Sequence, residues 1–418
     1  MLSFISTFNL IILLIFTVFY LYQAYYVLVS LIYKSEDMTS KKNHRYAVLI
    51  AARNESNVIS HLIESVKKQK YPSELVDIFV VADNCTDNTA DIAREAGAIV
   101  FERFNKQHVG KGYALDFALK IIKSKYDKYE GYFVFDADNL LDENYITEMN
   151  KVFDNKYKII TSYRNSKNYD TNWISAGYSL WFLREARFLN NSRMILKTGC
   201  AISGTGFLVH DDIIEKNNGW KHHLLTEDIE FSIDNAINGE IIGYCDKAKI
   251  YDEQPYDFEQ SWNQRLRWAK GFYQVFAKYG LNLAKTIFTK RSFSCYDMFM
   301  TIMPAMIISL LSVAVNLIFL SYGLANIEIS PMIIQETTGA IFMSFANFYL
   351  VLFALGVLTT ISEWTQINAS AKKKIFYTFT FPIFIFTYIP ISIVALFKKI
   401  EWKPITHNIV KTIEEVRQ

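Results

Sequence analysis

The sequence contains few cysteines, and they are not grouped. Its 418 residues include four, at Cys85, Cys200, Cys245 and Cys295, and no two of these are separated by only two residues. Structural zinc sites and disulfide frameworks need clustered or regularly spaced cysteines. Neither kind of site is therefore predicted, and we expect the polar part of the chain in a reducing compartment.

An excess of charge of either sign is also missing. The chain carries 44 Lys and Arg against 42 Asp and Glu. Nucleic-acid-binding domains usually carry a clear positive excess because they face phosphates, so bulk binding to nucleic acid is not predicted. Hydrophobic residues make up 51% of the chain and aromatic residues 16%, which is high for a soluble protein.

Charge is absent altogether from four long segments. No Asp, Glu, Lys or Arg occurs in residues 1–33, 298–327, 337–362 or 375–397. A helix that crosses a bilayer needs about 20 apolar residues, so each segment is long enough. The predicted membrane parts are an N-terminal transmembrane helix in residues 1–33 and a region of about three segments in residues 298–400, before a tail in residues 401–418.

Basic residues flank these segments. Lys34, Lys41 and Arg45 follow the first one, and positive charge favours the cytoplasmic side. We therefore expect the N-terminus outside and the following domain in the cytoplasm, in a multi-pass protein of the plasma membrane. Pro382 and Pro390 interrupt the last segment, which has lysines on both sides. A re-entrant or interfacial hairpin there would keep the tail in the cytoplasm.

Residues 45–275 alternate between strand-like and helix-like patterns. The predicted strands are Tyr46–Ala51, Val76–Ala82, Ala98–Phe101 and residues 132–135. Helical patterns follow the first three strands at Val58–Val66, Ala90–Ala96 and Tyr113–Ser124. Such alternation predicts an α/β fold with a mainly parallel sheet and helices on both faces. The following stretch, Phe272–Lys290, mixes aromatic residues with lysines, which predicts a helix in the membrane interface within residues 276–297.

Two aspartates follow the fourth predicted strand. Asp136 and Asp138 are two positions apart, and such positions in a strand face the same side. Ligands bind at the carboxyl edge of open α/β sheets, and paired carboxylates suit Mg²⁺ or Mn²⁺, which would in turn hold a diphosphate. An acidic turn is the alternative interpretation of so short a motif.

Two short motifs downstream combine small and acidic residues. Ser203-Gly204-Thr205-Gly206-Phe207 contains small residues that allow a ligand to approach the backbone. In Thr226-Glu227-Asp228, the threonine is suited to cap a helix whose first turn is acidic. The functional alternative is that Asp228 acts as a general base for an attacking hydroxyl.

A third motif, Gln264-Arg265-Leu266-Arg267-Trp268, falls on a predicted helix. Gln264 and Arg267 are three positions apart and share a face, with Trp268 beside them. Arginine binds phosphate oxygens through two hydrogen bonds, and an indole suits the apolar side of a sugar ring. A basic amphipathic helix at a membrane surface is the alternative interpretation.

These motifs together resemble those of a known family. In the order Asp83, Asp136 with Asp138, Asp228 and Gln264–Trp268, followed by apolar segments, they are similar to the membrane-integrated, processive branch of the family 2 glycosyltransferases. Cellulose, hyaluronan and poly-N-acetylglucosamine synthases belong to this branch. The resemblance covers about residues 46–275 and implies a GT-A-type domain that binds a nucleotide sugar.

The resemblance also implies roles for individual residues. Asp136 and Asp138 would hold the divalent metal, and Asp228 would be the catalytic base. The other positions would bind substrate, and they are Ala52, Arg53, Glu55, Asp83, Lys111, Gly204, Thr205, Gly206, Glu227, Gln264, Arg267 and Trp268.

The implied activity is inverting transfer of a sugar from UDP-N-acetylglucosamine or UDP-glucose to a growing β-linked polysaccharide at the lipid bilayer. A non-processive transferase that adds one or a few sugars to a lipid carrier is the first alternative, favoured by the small membrane part. A transporter or receptor with a nucleotide-binding head is the second, although the apolar segments lack the charged residues of transport pathways. No motif identifies an accessory or export protein.

Overall fold

An eight-stranded mixed sheet lies at the centre of the polar domain. The structure, a computed structural model, describes residues 2–327, 331–400, 405 and 407–417. The strands are β1 (Tyr46–Ala52), β2 (Val76–Asp83), β3 (Ile99–Arg103), β4 (Gly131–Asp136), β5 (Leu140–Leu141), β6 (Ile159–Ser166), β7 (Phe207–His210) and β8 (Ile242–Asp252). Their order across the sheet is β3-β2-β1-β4-β7-β6-β8-β5.

Most strand pairs in this sheet are parallel, which confirms the predicted fold class. β1 pairs in parallel with β2 and β4, β2 with β3, and β6 with β8. β7 is antiparallel to both of its neighbours, β4 and β6. Because β7 lies between them, the charged ends of β6 and β8 come to the same side of the domain as the end of β4.

Helices cover both faces of the sheet. Those before residue 258 are α1 (Leu2–Ile32), α2 (Ile59–Lys67), α3 (Thr89–Glu95), α4 (Lys111–Lys125), α5 (Tyr145–Asp154), α6 (Trp173–Arg184), α7 (Asn191–Ile195), α8 (Asp211–Lys216) and α9 (Glu227–Asn238). A short 3₁₀ turn, Ser73–Leu75, precedes β2, and a π-helical turn, Glu185–Asn190, joins α6 to α7. The strands beneath are apolar on both sides, as in β1, because neither face of a parallel sheet meets water.

One long helix links the polar domain to the apolar helices. α10 runs without interruption from Phe258 to Lys290, a length of 33 residues. Asp257 caps it by accepting a hydrogen bond from the backbone N–H of Gln260 at 2.9 Å. The sequence boundary near residue 275 therefore falls inside a helix, because aromatic and aliphatic residues continue the helical pattern past it. The predicted interfacial helix is the second half of α10, and a separate helix, α11 (Phe293–Ile302), follows.

The apolar segments form long helices. They are α1, α12 (Ala305–Ala325), α13 (Pro331–Ser362), and α14 (Ala371–Phe386) with α15 (Tyr388–Phe397). Counting the last two as one, four helices of the described residues are long and apolar enough to cross a membrane. Many of their apolar side chains are exposed, including Val18 at 67% and Phe342 at 69%. Exposed apolar surfaces of this size mark membrane or protein contacts.

The last apolar segment bends where the sequence contains two prolines. Only Thr387 separates α14 from α15, and its backbone is helical, with φ −65° and ψ −13°. A kink therefore joins the two helices, and the re-entrant or interfacial hairpin expected for this segment stays a prediction. Residues 328–330 of the predicted membrane region, and 401–404, 406 and 418 of the predicted tail, lie outside the described residues.

A buried ion pair ties α1 to the polar domain. Arg193 of α7 donates two hydrogen bonds to the carboxylate of Asp297 in α11, at 2.7 and 2.8 Å. Tyr22 and Tyr26 of α1 donate to the same carboxylate at 3.0 and 2.7 Å. Arg193 and Asp297 are both almost fully buried, so neither charge has water as an alternative partner.

We expect Arg193→Ala to destabilise the protein by about 3–5 kcal/mol, because it leaves the Asp297 carboxylate buried without its cation. The measurement is the apparent Tm of the detergent-purified protein. Arg94→Ala is the control, since Arg94 pairs with Asp91 and Glu102 at the surface and exposed pairs contribute little. Equal Tm values for the two variants would contradict the role given to Arg193.

Candidate active site

A large cavity lies along the carboxyl ends of β1, β2 and β4. Its volume is about 1290 Å³, and it extends from the sheet to the apolar helices. Most of the site residues predicted from the sequence line it, namely Ala52, Arg53, Glu55, Asp83, Lys111, Asp136, Asp138, Gly204, Glu227, Asp228, Gln264, Arg267 and Trp268. Fold and motif order thus bring distant parts of the chain to one place.

Two predicted residues do not line the cavity, and their substrate-binding assignment is corrected here. Thr205 is buried, and its hydroxyl accepts a hydrogen bond from the backbone N–H of Asp136 at 2.9 Å. The backbone of Gly206 pairs with Val134 and Ser162, and a Cβ there would lie 2.5 Å from Ile250. Both residues therefore fix the end of β4 from the side that faces away from the cavity. Within the Gly204–Gly206 motif, only Gly204 lines the cavity.

The two aspartates after β4 have different surroundings. Asp136 accepts a hydrogen bond from Lys111 Nζ at 2.5 Å, and Lys111 also donates to the carbonyl oxygen of Gly204 at 2.7 Å. Asp138 is buried and accepts from the backbone N–H of Glu253 at 2.7 Å. The first carboxylate is thus held by a side-chain cation and the second by the backbone after β8.

These two carboxylates suit a divalent cation whose remaining ligands come from a diphosphate. Lys111 Nζ already places a positive charge against Asp136. Among the described residues there is no cluster of three or more His, Cys, Asp or Glu that could hold a metal. Mg²⁺ is commonly bound by one or two carboxylates together with substrate phosphates and water, and Asp136 with Asp138 matches that set of ligands.

The deep end of the cavity contains a charged group that the sequence motifs did not reveal. Arg164 at the end of β6 donates through Nε to Asp252 of β8 at 2.7 Å, and through a terminal nitrogen to the carbonyl oxygen of Ser203 at 2.7 Å. Burial raises the pKa of Asp252 to about 6. Burial lowers the pKa of Lys167 nearby. Charged residues at the ends of two apolar strands were the only sequence signal for this group.

The tail returns to the same end of the cavity. His407 contacts the carboxylate of Glu55 at 2.9 Å, and the backbone N–H groups of Asn408 and Ile409 donate to Glu253 at 3.1 and 2.9 Å. Burial opposes protonation of His407, but Asp138, Glu55 and Glu253 raise its pKa to about 10. The neighbouring carboxylates thus favour the protonated form of His407, and no motif had placed this residue in the cavity wall. A final helix, α16 (Ile413–Arg417), follows.

Asp83 also lies in the wall of this end, but its carboxylate is engaged. Arg103 donates to it at 2.5 Å and to the carbonyl oxygen of His108 at 2.7 Å. Asn84 donates to the same carboxylate at 3.0 Å. The pair with Arg103 fixes the position of Asp83 at the end of β2, where the sequence predicted a contact with the nucleoside.

Glu227 and Asp228 begin α9 on the opposite side of the cavity. Thr226 occupies the position before the helix but makes no capping hydrogen bond, and its hydroxyl is buried without a partner among the described residues. Burial, and then the neighbouring charge of Asp228, raises the pKa of Glu227 to about 7. Burial raises the pKa of Asp228 as well, although the backbone of Ile229 and the cation Lys111 oppose this. Raised pKa values suit residues that take up protons.

α10 supplies the remaining wall. Gln264, Arg267 and Trp268 line the cavity, and Gln264 Oε1 is buried without a hydrogen-bond partner in the described chain. Gly271, one turn further on, touches Thr226 so closely that a Cβ there would lie 2.5 Å from the threonine methyl group. An unpartnered buried oxygen facing a cavity is a group that a ligand can satisfy.

The second arginine of the Gln264–Trp268 motif has a different place. Arg265 is fully buried and donates to the carbonyl oxygen of Phe384 at 3.2 Å and to the hydroxyl of Thr387 at 2.5 Å. It anchors α10 to the kink between α14 and α15. Arg267, on the other face, is left for the cavity.

Gly204 lies between the two ends of the site. Its carbonyl oxygen accepts from Lys111, which holds Asp136, and a Cβ built on it would lie 3.7 Å from an Asp228 oxygen. Its φ of +80° favours glycine. Lys111, Asp136 and Asp138 therefore form a charged end of the site, and Gly204 lies between Lys111 and Asp228. This arrangement places a carboxylate that can act as a base near a site for a phosphate, so it is able to transfer a group from a phosphate to a hydroxyl.

Comparison with known proteins gives relatives of this kind. The chain is 27% identical over 279 residues to the probable glycosyltransferase YdaM of Bacillus subtilis, covering 62% of each chain. It is 25% identical over 245 residues to beta-monoglucosyldiacylglycerol synthase of Nostoc, covering 56% of this chain and 50% of that one. It is 26% identical over 292 residues to poly-beta-1,6-N-acetyl-D-glucosamine synthase of Staphylococcus aureus, covering 69% and 67%. The matches thus span about half to two thirds of these relatives.

A solved structure shares the fold. The mannosyltransferase PcManGT of Pyrobaculum calidifontis, in complex with GDP-Man and Mn²⁺, matches with a TM-score of 0.55 and 14% identity, over 93% of this chain and 99% of that one. A family profile described as Glycosyltransferase like family 2 matches residues 44–271, more than half of the chain. The protein is therefore an enzyme of the family 2 glycosyltransferases.

Proposed function

We propose that the protein is an inverting glycosyltransferase that uses a UDP-sugar as donor, UDP-N-acetylglucosamine or UDP-glucose. One observation carries the proposal: Asp228 faces the same cavity as Asp136 and Asp138, and Gly204 lies beside both Asp228 and the Lys111 that holds Asp136. A base and a diphosphate site that face one cavity suit direct displacement at an anomeric carbon. No covalent enzyme intermediate is needed, so an α-linked donor gives a β-linked product.

The donor end would bind the nucleotide diphosphate. Asp136 and Asp138 are the residues that would hold Mg²⁺ or Mn²⁺. Lys111 is hydrogen-bonded to Asp136 in this structure, and it would be free to contact a phosphate once the metal takes its place. When bound, the cation supplies neutralisation of the charge that develops on the UDP leaving group. Arg267 lines the cavity from α10 and would add a second positive group for the diphosphate. Asp83 and Glu55 would lie beside the nucleoside.

The acceptor end would carry out the proton transfer. Asp228 takes the proton of the acceptor hydroxyl, and that oxygen forms the bond to C1 of the sugar while the bond from C1 to the diphosphate oxygen breaks. The electron pair leaves with UDP. Gln264 and Trp268 would position the acceptor, because the Gln264 oxygen lacks a partner and the indole offers a flat apolar face.

Two relatives favour different acceptors. One is named for a polysaccharide and one for a diacylglycerol, and both acceptors would present a hydroxyl to Asp228. Polymer extension is the activity expected from the sequence motif on α10. The four apolar helices support a place in the plasma membrane with the sheet domain in the cytoplasm. We expect the membrane side of the cavity to decide between the two acceptors.

We expect purified protein to release UDP from UDP-N-acetylglucosamine or UDP-glucose only when Mg²⁺ or Mn²⁺ is present. Excess EDTA should abolish release, because the two carboxylates and the diphosphate repel each other without a cation. Asp138→Asn should raise the metal concentration required for half-maximal activity. A screen of UDP-sugars for UDP release makes the measurement. Full activity in EDTA would contradict the metal role, and no release from any UDP-sugar would contradict the donor.

We expect Asp228→Asn to lower kcat by about 10²–10⁴-fold, because the amide cannot accept the acceptor proton. Asp212→Asn is the matched control, since Asp212 is exposed in the first turn of α8 and its loss removes the same favourable charge from a helix start. Turnover with a fixed donor is the measurement. Equal activity of the two variants would show that the base lies elsewhere.

We expect kcat/KM to fall on the acidic side, and to do so at a higher pH than an ordinary aspartate would cause. Burial raises the pKa of Asp228 and brings that of Glu227 to about 7, so protons bind this pair at a higher pH than ordinary carboxyls, and a protonated base is inactive. Glu227→Gln should move the acidic limb to lower pH, because repulsion between like charges is mutual. An acidic limb that stays unmoved in Glu227→Gln would rule out coupling between the two residues.

A further inference from the structure

The cavity continues from the sugar-transfer site into the apolar helices. Its far wall is formed by side chains from three of them, α1, α12 and α13: Leu13, Phe16, Leu310, Val313, Met343 and Leu352. No charged side chain of these helices is part of the wall in the described residues. The far end is therefore an apolar space bounded by helices that are long and apolar enough to lie in a bilayer.

Ser312 and Asn347 contribute polar side chains to this wall, and four others in it are already hydrogen-bonded within the protein. The hydroxyls of Thr17, Ser309 and Ser344 donate to the carbonyl oxygens four residues earlier in their own helices, at 2.8, 3.1 and 2.8 Å. Asn9 pairs with Asn316 across α1 and α12, at 3.0 and 2.7 Å. These groups offer a hydroxyl-rich polysaccharide few new partners, whereas a hydrocarbon chain needs none.

A buried arginine lies where the apolar part meets the transfer site. Arg184, the last residue of α6, lines the cavity and donates to the side chain of Gln23 at 3.0 Å, with its guanidinium 5.1 Å from the ring centre of Trp181. Its neighbour Glu185 accepts from the hydroxyl of Ser203 instead. Burial lowers the pKa of Arg184, as expected for a charge without a close counterion.

We propose that the acceptor is an anionic membrane lipid with a free hydroxyl, whose chains enter from the bilayer among α1, α12 and α13 and whose anionic group binds Arg184. This inference rests on the proposed sugar transfer and names its acceptor. An anion beside Arg184 would compensate the buried charge, and the same lipid would then present its hydroxyl towards Asp228. Arg193 and Arg164 also line the cavity, but each is paired with an aspartate, whereas Arg184 forms no ion pair with the described residues. The apolar wall and the unpaired Arg184 cation together fit one amphiphile.

The test measures transfer of labelled sugar from the donor found active in the UDP-release screen. Acceptors in mixed micelles are phosphatidylglycerol, a polyprenyl-diphosphate-linked sugar, neutral diacylglycerol and a soluble β-linked oligosaccharide. We expect label in an organic-soluble product, formed at least ten-fold faster with one of the two anionic lipids than with diacylglycerol. Label confined to the oligosaccharide or to a water-soluble polymer would overturn the proposal, and so would equal rates with diacylglycerol.

Variants test the part given to Arg184. Arg184→Gln should raise the KM for the anionic lipid at least ten-fold, and Arg184→Lys should restore part of the affinity. Arg187→Gln is the matched control, because Arg187 lies three residues on, pairs with Glu363 and is not part of the cavity wall. A rise of the same size in the control would overturn the assignment.

Two further measurements keep the result interpretable. If Arg184→Gln lowers the apparent Tm, a second variant, Leu352→Trp, is used, because the larger side chain narrows the apolar part of the cavity. Leu352→Trp must then raise the KM for the lipid, and an unchanged KM in this variant overturns the proposal. UDP release with the wild-type protein is recorded in parallel. Release without any lipid product contradicts the acceptor alone, whereas no release from any donor contradicts the glycosyltransferase function itself.

Discussion

α10 packs against the turn before Asp228 with almost no side chain between them. A Cβ at Gly271 would lie 2.5 Å from Thr226, so the helix and the turn cannot separate or slide without opening the site. One turn earlier the same helix presents Gln264 and Trp268 to the cavity, and Arg265 on its other face is bonded to the kink at Thr387. This contact therefore helps to set the distance between the base and the acceptor wall, together with the bonds from Lys278 and Tyr279 of α10 to Glu230 of α9.

Several carboxylates at the donor end of the cavity are paired with cationic side chains. Asp136 is neutralised by Lys111, Asp252 by Arg164, and Glu55 by His407. Buried charges are stable only when they are paired. When a diphosphate and its metal bind, each of these side chains that loses its present partner must therefore form a new ion pair with the ligand or with another residue. Binding of the donor is thus expected to be coupled to a rearrangement of side chains at this edge, with little change in net charge.

Local patterns in the sequence were sufficient for the first half of the sheet and for most of the site. β1, β2 and β4 are short apolar runs that end in polar residues, and the D-x-D after β4 needs only strand geometry to be placed. Arg164 was not found, because its partner Asp252 lies 88 positions further along the chain and is brought near by the direct pairing of β6 with β8, which no local pattern encodes. Thr205 was predicted to bind substrate because it belongs to a short motif, and the motif alone does not indicate which of its residues faces the cavity.

The contact of His407 with Glu55 joins residues near the two ends of the chain in one wall of the site. Between them in the chain lie all the helices from α12 to α15. During synthesis the domain with Asp136 and Asp228 leaves the ribosome long before this segment. The part of the wall that contains His407 is therefore the last to be synthesised, so the cavity can be completed only when the whole chain has been made.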